Sequence, residues 1–235
     1  MVTNGKKKNA VIILSGGLDS TTLLYDIINQ GYNVKSLSFN YGQKHSKELD
    51  YASMTTRKLG IEHKIIDLSI LNDIAPSALT REDINVPEGH YTDNNMKQTV
   101  VPNRNMVMLS LACAYAIGIG YNHIFYGAHA GDHMIYPDCR KEFVEAMANA
   151  INISDWKPVK LHAPYLRIDK GGILKKGIKL GVDYSLTWTC YKGELLACGV
   201  CGSCVERLEA FYNNGIIDPI NYVKNDRVVL NGKGR

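Results

Sequence analysis

No apolar run in this chain of 235 residues is long enough to cross a bilayer, so no helical membrane span is expected. Nothing at the N-terminus resembles a secretory signal, because it is polar and lysine-rich and no long apolar stretch follows. A disulfide framework is therefore not expected, and the reducing cytoplasm is the expected compartment. Excess charge is scarce too. A net charge of +4 is too mild to argue for nucleic-acid binding, and Lys6-Lys7-Lys8 reads as a solvated tail. Internal repeats and low-complexity tracts are lacking. So are G-x-x-x-x-G-K-[ST] and a G-x-G-x-x-G after a strand, which leaves neither a Walker-type NTPase nor that dinucleotide site supported. The apolar share of 45% and charged share of 21% are those of an ordinary globular chain with room for a sizeable core.

What the chain does have is four clustered cysteines. Cys198, Cys201 and Cys204 form C-G-V-C-G-S-C, two overlapping C-x-x-C steps, and Cys190 lies eight residues upstream. A C-x-x-C step lets two thiolates from one tight turn point at a common centre, and the glycines permit that turn. Four thiolates close a tetrahedral shell with no open position, which suits a structural Zn²⁺. An iron–sulfur cluster uses the same ligand type and stays open on spacing alone. A redox C-x-x-C would need neither Cys190 nor the third cysteine. Cys113 falls in an apolar helical run and reads as core; Cys139 falls in a loop, with nothing to mark it as a nucleophile.

Apolar and polar periodicity gives the organisation. Ala10–Leu14 is a short continuous apolar run, as in a buried parallel strand. Leu23, Leu24, Ile27 and Ile28 then share a helical face, Val34–Phe39 reads as a strand, Ser46–Leu59 as a helix and His63–Leu68 as a third strand. This β-α-β-α-β order implies a parallel sheet with right-handed crossovers. Residues 70–102 are polar, carry Pro76, Pro87 and Pro102, and read as a lid or insertion over the site. An apolar helix over Asn105–Ile117 is expected to be largely buried. A strand His123–Tyr126, a helix Lys141–Ile151, a strand Val159–Ala163 and a helix Ile173–Leu180 follow. The expectation is one α/β domain over 1–181, with a doubly wound, five-stranded parallel sheet, and a zinc-braced C-terminal region over 182–235. Trp156 and Trp188 read as core or packing residues.

Between the first strand and its helix stands Ser15-Gly16-Gly17-Leu18-Asp19-Ser20. A strand–turn–helix of this kind aims unpaired N–H groups and the positive helix end at an anion. Gly16 and Gly17 allow positive φ and leave room for phosphate oxygens, while Ser15 and Ser20 can add hydroxyl donors. Asp19 would repel phosphate; holding Mg²⁺ against it is its functional reading, and helix capping its structural one.

Ser-Gly-Gly-x-Asp-Ser after a first apolar strand resembles the PP-loop of the ATP pyrophosphatase superfamily, whose fold is adenine nucleotide α-hydrolase-like. Further segments narrow the likeness: Tyr41-Gly42-Gln43-Lys44-His45, Val101-Pro102-Asn103-Arg104-Asn105, Tyr136-Pro137-Asp138-Cys139-Arg140 and Cys190-Tyr191. In this order, over nearly the whole chain, they resemble the 7-cyano-7-deazaguanine synthase family. Many members carry Asn where this chain has His129, and Tyr-Ser-Gly where it has His133-Met134-Ile135.

The resemblance implies an enzyme that uses ATP, ammonia and 7-carboxy-7-deazaguanine, releases AMP and pyrophosphate, and forms a homodimer that binds neither nucleic acid nor membrane. It implies an ATP site running from Leu14 through Ser15, Gly16, Gly17, Leu18, Asp19 and Ser20 to Thr21, with Tyr41, Gln43 and His45 at the end of the second strand. Arg104 and Lys170 are candidates, beside Asp19, for handling phosphate or carboxylate charge. Asp132 or Asp138 would read the N–H groups of the base, and Tyr136 would stack on it. The rivals are a PP-loop sulfurtransferase, which needs an accessible persulfide-forming cysteine, an amide ligase of the same fold, and a non-catalytic nucleotide-binding module.

Overall fold

A computed structural model gives the fold and describes residues 8–90 and 94–223. Lys6 and Lys7, and the end of the C-terminal region beyond 223, lie outside the described residues. Strand β1 (Asn9–Ile13) is buried on both faces, and its side chains alternate between two cores. Val11 joins Leu37, Leu109 and Ile124 on one side, while Ala10 and Ile12 join Leu23, Leu24, Ile27 and Ile173 on the other. A strand buried on both faces needs helices on both faces, and that is what the chain builds.

Strand β1 leads to helix α1 (Leu18–Asn29), strand β2 (Asn33–Asn40), helix α2 (Lys47–Leu59) and strand β3 (His63–Asp67). The chain then crosses back through the short helix α3 (Ile70–Ile74) and a 3₁₀ turn (Asn94–Thr99) to helix α4 (Arg104–Gly118) and strand β4 (His123–Phe125). Helix α5 (Lys141–Ile153), strand β5 (Lys160–His162), helix α6 (Lys170–Lys179) and helix α7 (Gly202–Asn213) complete it. All strand pairs are parallel and the order is β3-β2-β1-β4-β5. The connections reverse direction between β1 and β4, which opens a crevice at the carboxyl ends of these strands. The expected doubly wound five-stranded sheet is present.

Several expectations change in detail. Helix α4 buries only the stripe Met108, Leu109, Ala112, Cys113 and Ala116, while Met106 and Ser110 face outward, so it is amphipathic rather than buried all round. Helix α6 starts at Lys170 rather than Ile173, because the Asp169 side chain accepts the N–H of Gly172 at 2.7 Å and caps it. Trp188 is buried, but Trp156 is fully exposed and belongs to no core. Segment 70–102 is anchored through Leu71, Ala75, Leu79, Met96 and Val101 in the core that contains α4.

Helix α7 was not legible as a helix. Its first turn follows Cys201 and includes Cys204, and its inner residues Ala210 and Phe211 join the core around α1 and α6. It also carries Arg207, which is wholly buried and pairs in a bidentate manner with Asp218 at 2.6 and 2.9 Å. The same guanidinium donates to Thr187 Oγ1, Thr189 Oγ1 and the Tyr184 carbonyl, which shapes segment 184–189. Replacing Asp218 by Ala leaves this cation buried without its counter-charge. A loss of about 3–5 kcal/mol in urea unfolding is expected, whereas a loss below about 1 kcal/mol would mean that the neutral acceptors suffice.

Candidate active site

At the crevice the chain leaves β1 through Leu14, whose N–H bonds the Leu37 carbonyl, and turns at Ser15. The turn closes on itself: Ser15 N–H donates to Ser20 Oγ at 3.1 Å, the two hydroxyls lie 3.0 Å apart, and Gly17 N–H donates to Ser15 Oγ at 3.2 Å. Gly16 has φ +85°, and a Cβ there would lie 2.1 Å from the Glu48 carbonyl oxygen, so only glycine lets the loop rest on α2. Trp188 N–H donates to the Gly16 carbonyl at 2.9 Å and holds the loop from the other side. No side chain caps the N-terminus of α1, so its positive end faces the crevice.

The crevice holds a cavity of about 210 Å³. Ser15, Gly17, Leu18, Asp19, Ser20, Tyr41, Arg104, Asp132, Tyr136 and Lys170 all line it, so the structure gathers most of the residues singled out in the sequence. Leu14, Gly16, Thr21, Gln43 and Asp138 are not on its wall. Leu14 and Thr21 are buried beneath the loop. Gln43 is a buried brace that accepts the Tyr41 N–H at 2.8 Å and donates to the Phe39 carbonyl and Glu48. Asp138 accepts the Asn105 N–H at 3.2 Å and so caps α4. Asn103, just before α4, has φ +60°, the only non-glycine residue in the left-handed region among the described residues. That turn aims Arg104 inward, where it donates to Tyr41 Oη at 3.0 Å.

Asp19 sits among charges. Its Oδ2 lies 3.4 Å from Lys170 Nζ and 3.6 Å from His129 Nε2, while its buried Oδ1 has no hydrogen-bond partner among the described residues. Burial alone would lower the Lys170 pKa, but Asp19, Glu206 and Asp132 outweigh it, so this lysine stays charged. Glu206, in the second turn of α7, lies 2.5 Å from Lys170 Nζ. His129 Nδ1 accepts the Gly131 N–H, which leaves Nε2 to face Asp19 and, at 3.4 Å, Asp132. Tyr136 Oη bonds Thr99 Oγ1 at 2.8 Å and Tyr191 Oη at 3.3 Å.

Two support residues were missed in the sequence, Glu48 and Glu206, while His129 stood out only as a departure from the family pattern. Neither glutamate belongs to a motif, and each owes its place to how its helix crosses the crevice. Burial pushes Glu48 up to about 8, against the pull of Gln43 and Arg104, and burial with Arg104 holds His45 down to about 3. Burial also pushes the Cys139 thiol well up, so it faces the cavity as a thiol and not as a thiolate.

The four tail cysteines are all buried, with their sulfur atoms within 4.8 Å of one another. Cys198 N–H donates to Cys190 Sγ at 3.3 Å, and the N–H groups of Val200 and Cys201 donate to Cys198 Sγ at 3.4 and 3.3 Å. Converging sulfurs that accept backbone N–H groups are a fitting shell for one metal ion.

The family model described as Queuosine biosynthesis protein QueC matches residues 9–215. The chain belongs to the QueC family. Its similarity to curated proteins agrees with this. It is 63% identical over 213 residues to the 7-cyano-7-deazaguanine synthase of Methanoregula boonei, covering 91% of this chain and 98% of that one. It is 62% identical to the synthase of the same name from Caldicellulosiruptor bescii, covering 91% and 96%. Among solved structures, the NMN synthetase of Francisella tularensis superposes with a TM-score of 0.53 at 14% identity, covering 92% of this chain and 81% of that one, a likeness of fold alone.

The raised Glu48 pKa has a consequence for stability. Between its ordinary value of 4.5 and about 8, folded Glu48 keeps a proton that the unfolded chain releases, so stability falls as pH rises through this window. Glu48→Gln, uncharged throughout, should flatten this part of the profile of urea midpoint against pH. An unchanged slope would exclude Glu48 as its source.

Proposed function

We propose that this protein converts 7-carboxy-7-deazaguanine and ammonia to 7-cyano-7-deazaguanine, with ATP cleaved to AMP and pyrophosphate. The observation that carries the reading is a Ser-Gly-Gly-x-Asp-Ser turn, tied in place at the switch point of the sheet, in a chain 63% identical over nearly its full length to a synthase of that name. Carboxylate oxygens leave poorly, so each must be converted to a leaving group. The carboxylate attacks the α-phosphate of one ATP, pyrophosphate leaves, and ammonia displaces AMP to give the amide. The amide oxygen attacks a second ATP, and loss of AMP with two protons gives the nitrile.

The protein's share is positioning and charge. Backbone N–H groups at the start of α1, with Ser15 and Ser20, bind the departing pyrophosphate. Lys170 and Arg104, two cations on the cavity wall, meet the charge that grows on phosphate. Asp132 accepts N–H groups of the base, and Tyr136 supplies an aromatic wall. Asp138, occupied with α4, supports that wall from behind.

The unpartnered Oδ1 of Asp19 suits Mg²⁺, which would draw charge from the polyphosphate. The four thiols suit Zn²⁺, which would lock the tail. The sulfurtransferase alternative has little support. Cys139 is held as a thiol, Cys113 is buried in α4, and the other four cysteines belong to the cluster.

Incubation with ATP, Mg²⁺, ammonium and 7-carboxy-7-deazaguanine, followed by mass spectrometry, should yield nitrile with about two AMP per product. No AMP dependent on that substrate would defeat the reading. Asp19→Ala should cut turnover by at least about 100-fold with the fold intact by circular dichroism; near-normal turnover would remove Asp19 from the metal role. Cys201→Ser should lower zinc content and thermal stability together. A stable, active, zinc-free variant would defeat the bracing role of the cysteines.

A further inference from the structure

A second cavity, of about 450 Å³, lies behind the first, and Lys170 lines both. Its wall carries Glu206, Glu209, Asp169, Lys175, His90 and Asn213. The partition between the two is thin. It consists of the Lys170–Glu206 pair and the turn around Gly131, which faces the second cavity, while its neighbours His129 and Asp132 face the first. The backbone φ at Gly131 does not demand glycine, but space does: a Cβ there would lie 2.5 Å from Glu206 Oε1 and 2.9 Å from His129 Cε1. The wall at this point is thus one backbone thick, with the Glu206 carboxylate directly against it.

On the proposed reaction, two large substrates must share the first cavity, and the third is very small. ATP and the deazapurine together would occupy the cavity's open side. The nucleophile is needed where the acyl group meets the α-phosphate, beside the phosphate loop, Asp19 and Lys170. The second cavity reaches the same Lys170 that lines the first. Near neutral pH the third substrate is mostly ammonium, and the three carboxylates of the second cavity outnumber the two lysines on its wall, a balance that favours a small cation.

We propose that the second cavity is the inlet for ammonium, with the Lys170–Glu206 pair as its inner gate. This inference rests on the function proposed above. Ammonium collects at the carboxylates and gives one proton to water in the open cavity. It crosses as neutral NH₃, the form that a lysine cation does not repel and the form that attacks the acyl adenylate. One ammonia proton leaves in the amide-forming step, and the other two leave when the amide becomes the nitrile.

The test uses the full-length enzyme with Glu209→Gln, which removes a charge at the outer wall, and Asn213→Trp, which narrows the mouth. Asn213 is exposed and Glu209 partly so, and neither is on the wall of the first cavity. In each variant kcat/KM for ammonium should fall about three- to tenfold. The KM values for ATP and 7-carboxy-7-deazaguanine, and carboxylate-dependent ATP–pyrophosphate exchange, which needs no ammonia, should stay as in the parent. Unchanged kcat/KM for ammonium in both variants would overturn the inlet. So would a parallel loss of exchange, since it would place the effect in the first cavity. Absence of exchange in the parent enzyme would instead sink the functional reading itself.

Discussion

One backbone bond ties the Ser15–Ser20 turn to a segment distant in sequence, the bond from Trp188 N–H to the Gly16 carbonyl. One such bond is worth only about 1 kcal/mol net, so what matters is what fixes Trp188. Arg207 gathers the carbonyls and hydroxyls of residues 184–189 around one buried guanidinium. Arg207 is itself held by α7, whose first turn is set by the converging cysteines. Residues 86–89 are drawn in as well, since Val86 packs on the cysteines and Gly89 N–H bonds the Val200 carbonyl. The cluster thus sits at the end of a series of links that leads to the Ser15–Ser20 turn.

The same helix reaches the chemistry by a second route. Glu206 precedes Arg207 and holds Lys170, which in turn touches Asp19. Desolvation acts on every ionisable group here, but with different results. It wins at His45, where Arg104 adds to it, and at Glu48, where it outweighs Gln43 and Arg104, and it loses at Lys170, near which lie three carboxylates. The cavity therefore keeps its cations charged while its back wall stays close to neutral. A buried lysine shared by two carboxylates costs desolvation energy, and such groups persist where the charge has work to do.

The parts of this protein that were legible in its sequence are those written in consecutive residues. The apolar run of β1, the Ser-Gly-Gly turn after it and the spaced cysteines are local signals, and local geometry follows from them directly. Glu48 and Glu206 carried no such signal. Each is an isolated polar residue whose importance comes from where its element crosses another, and a single sequence does not encode a crossing in any short window. Helix α7 was hidden because its first turn is made of the cysteine motif itself, which reads as a metal-binding tail. Asp138 looked like a base-reading carboxylate from its motif; its Oδ2 accepts an N–H at the start of α4, and it lies off the cavity wall. Trp156 fails the other way, since a large aromatic residue usually packs and this one faces solvent.

The pairing of Gly16 with Trp188 also orders events in time. Gly16 and Trp188 lie 172 positions apart in the sequence. Contacts of such sequence separation form late in folding, because the chain must close a long loop before they repay it. β1, β2 and β3 can assemble with their helices before the cysteine-bearing segment docks. The shape of the turn after β1 is therefore decided late in folding.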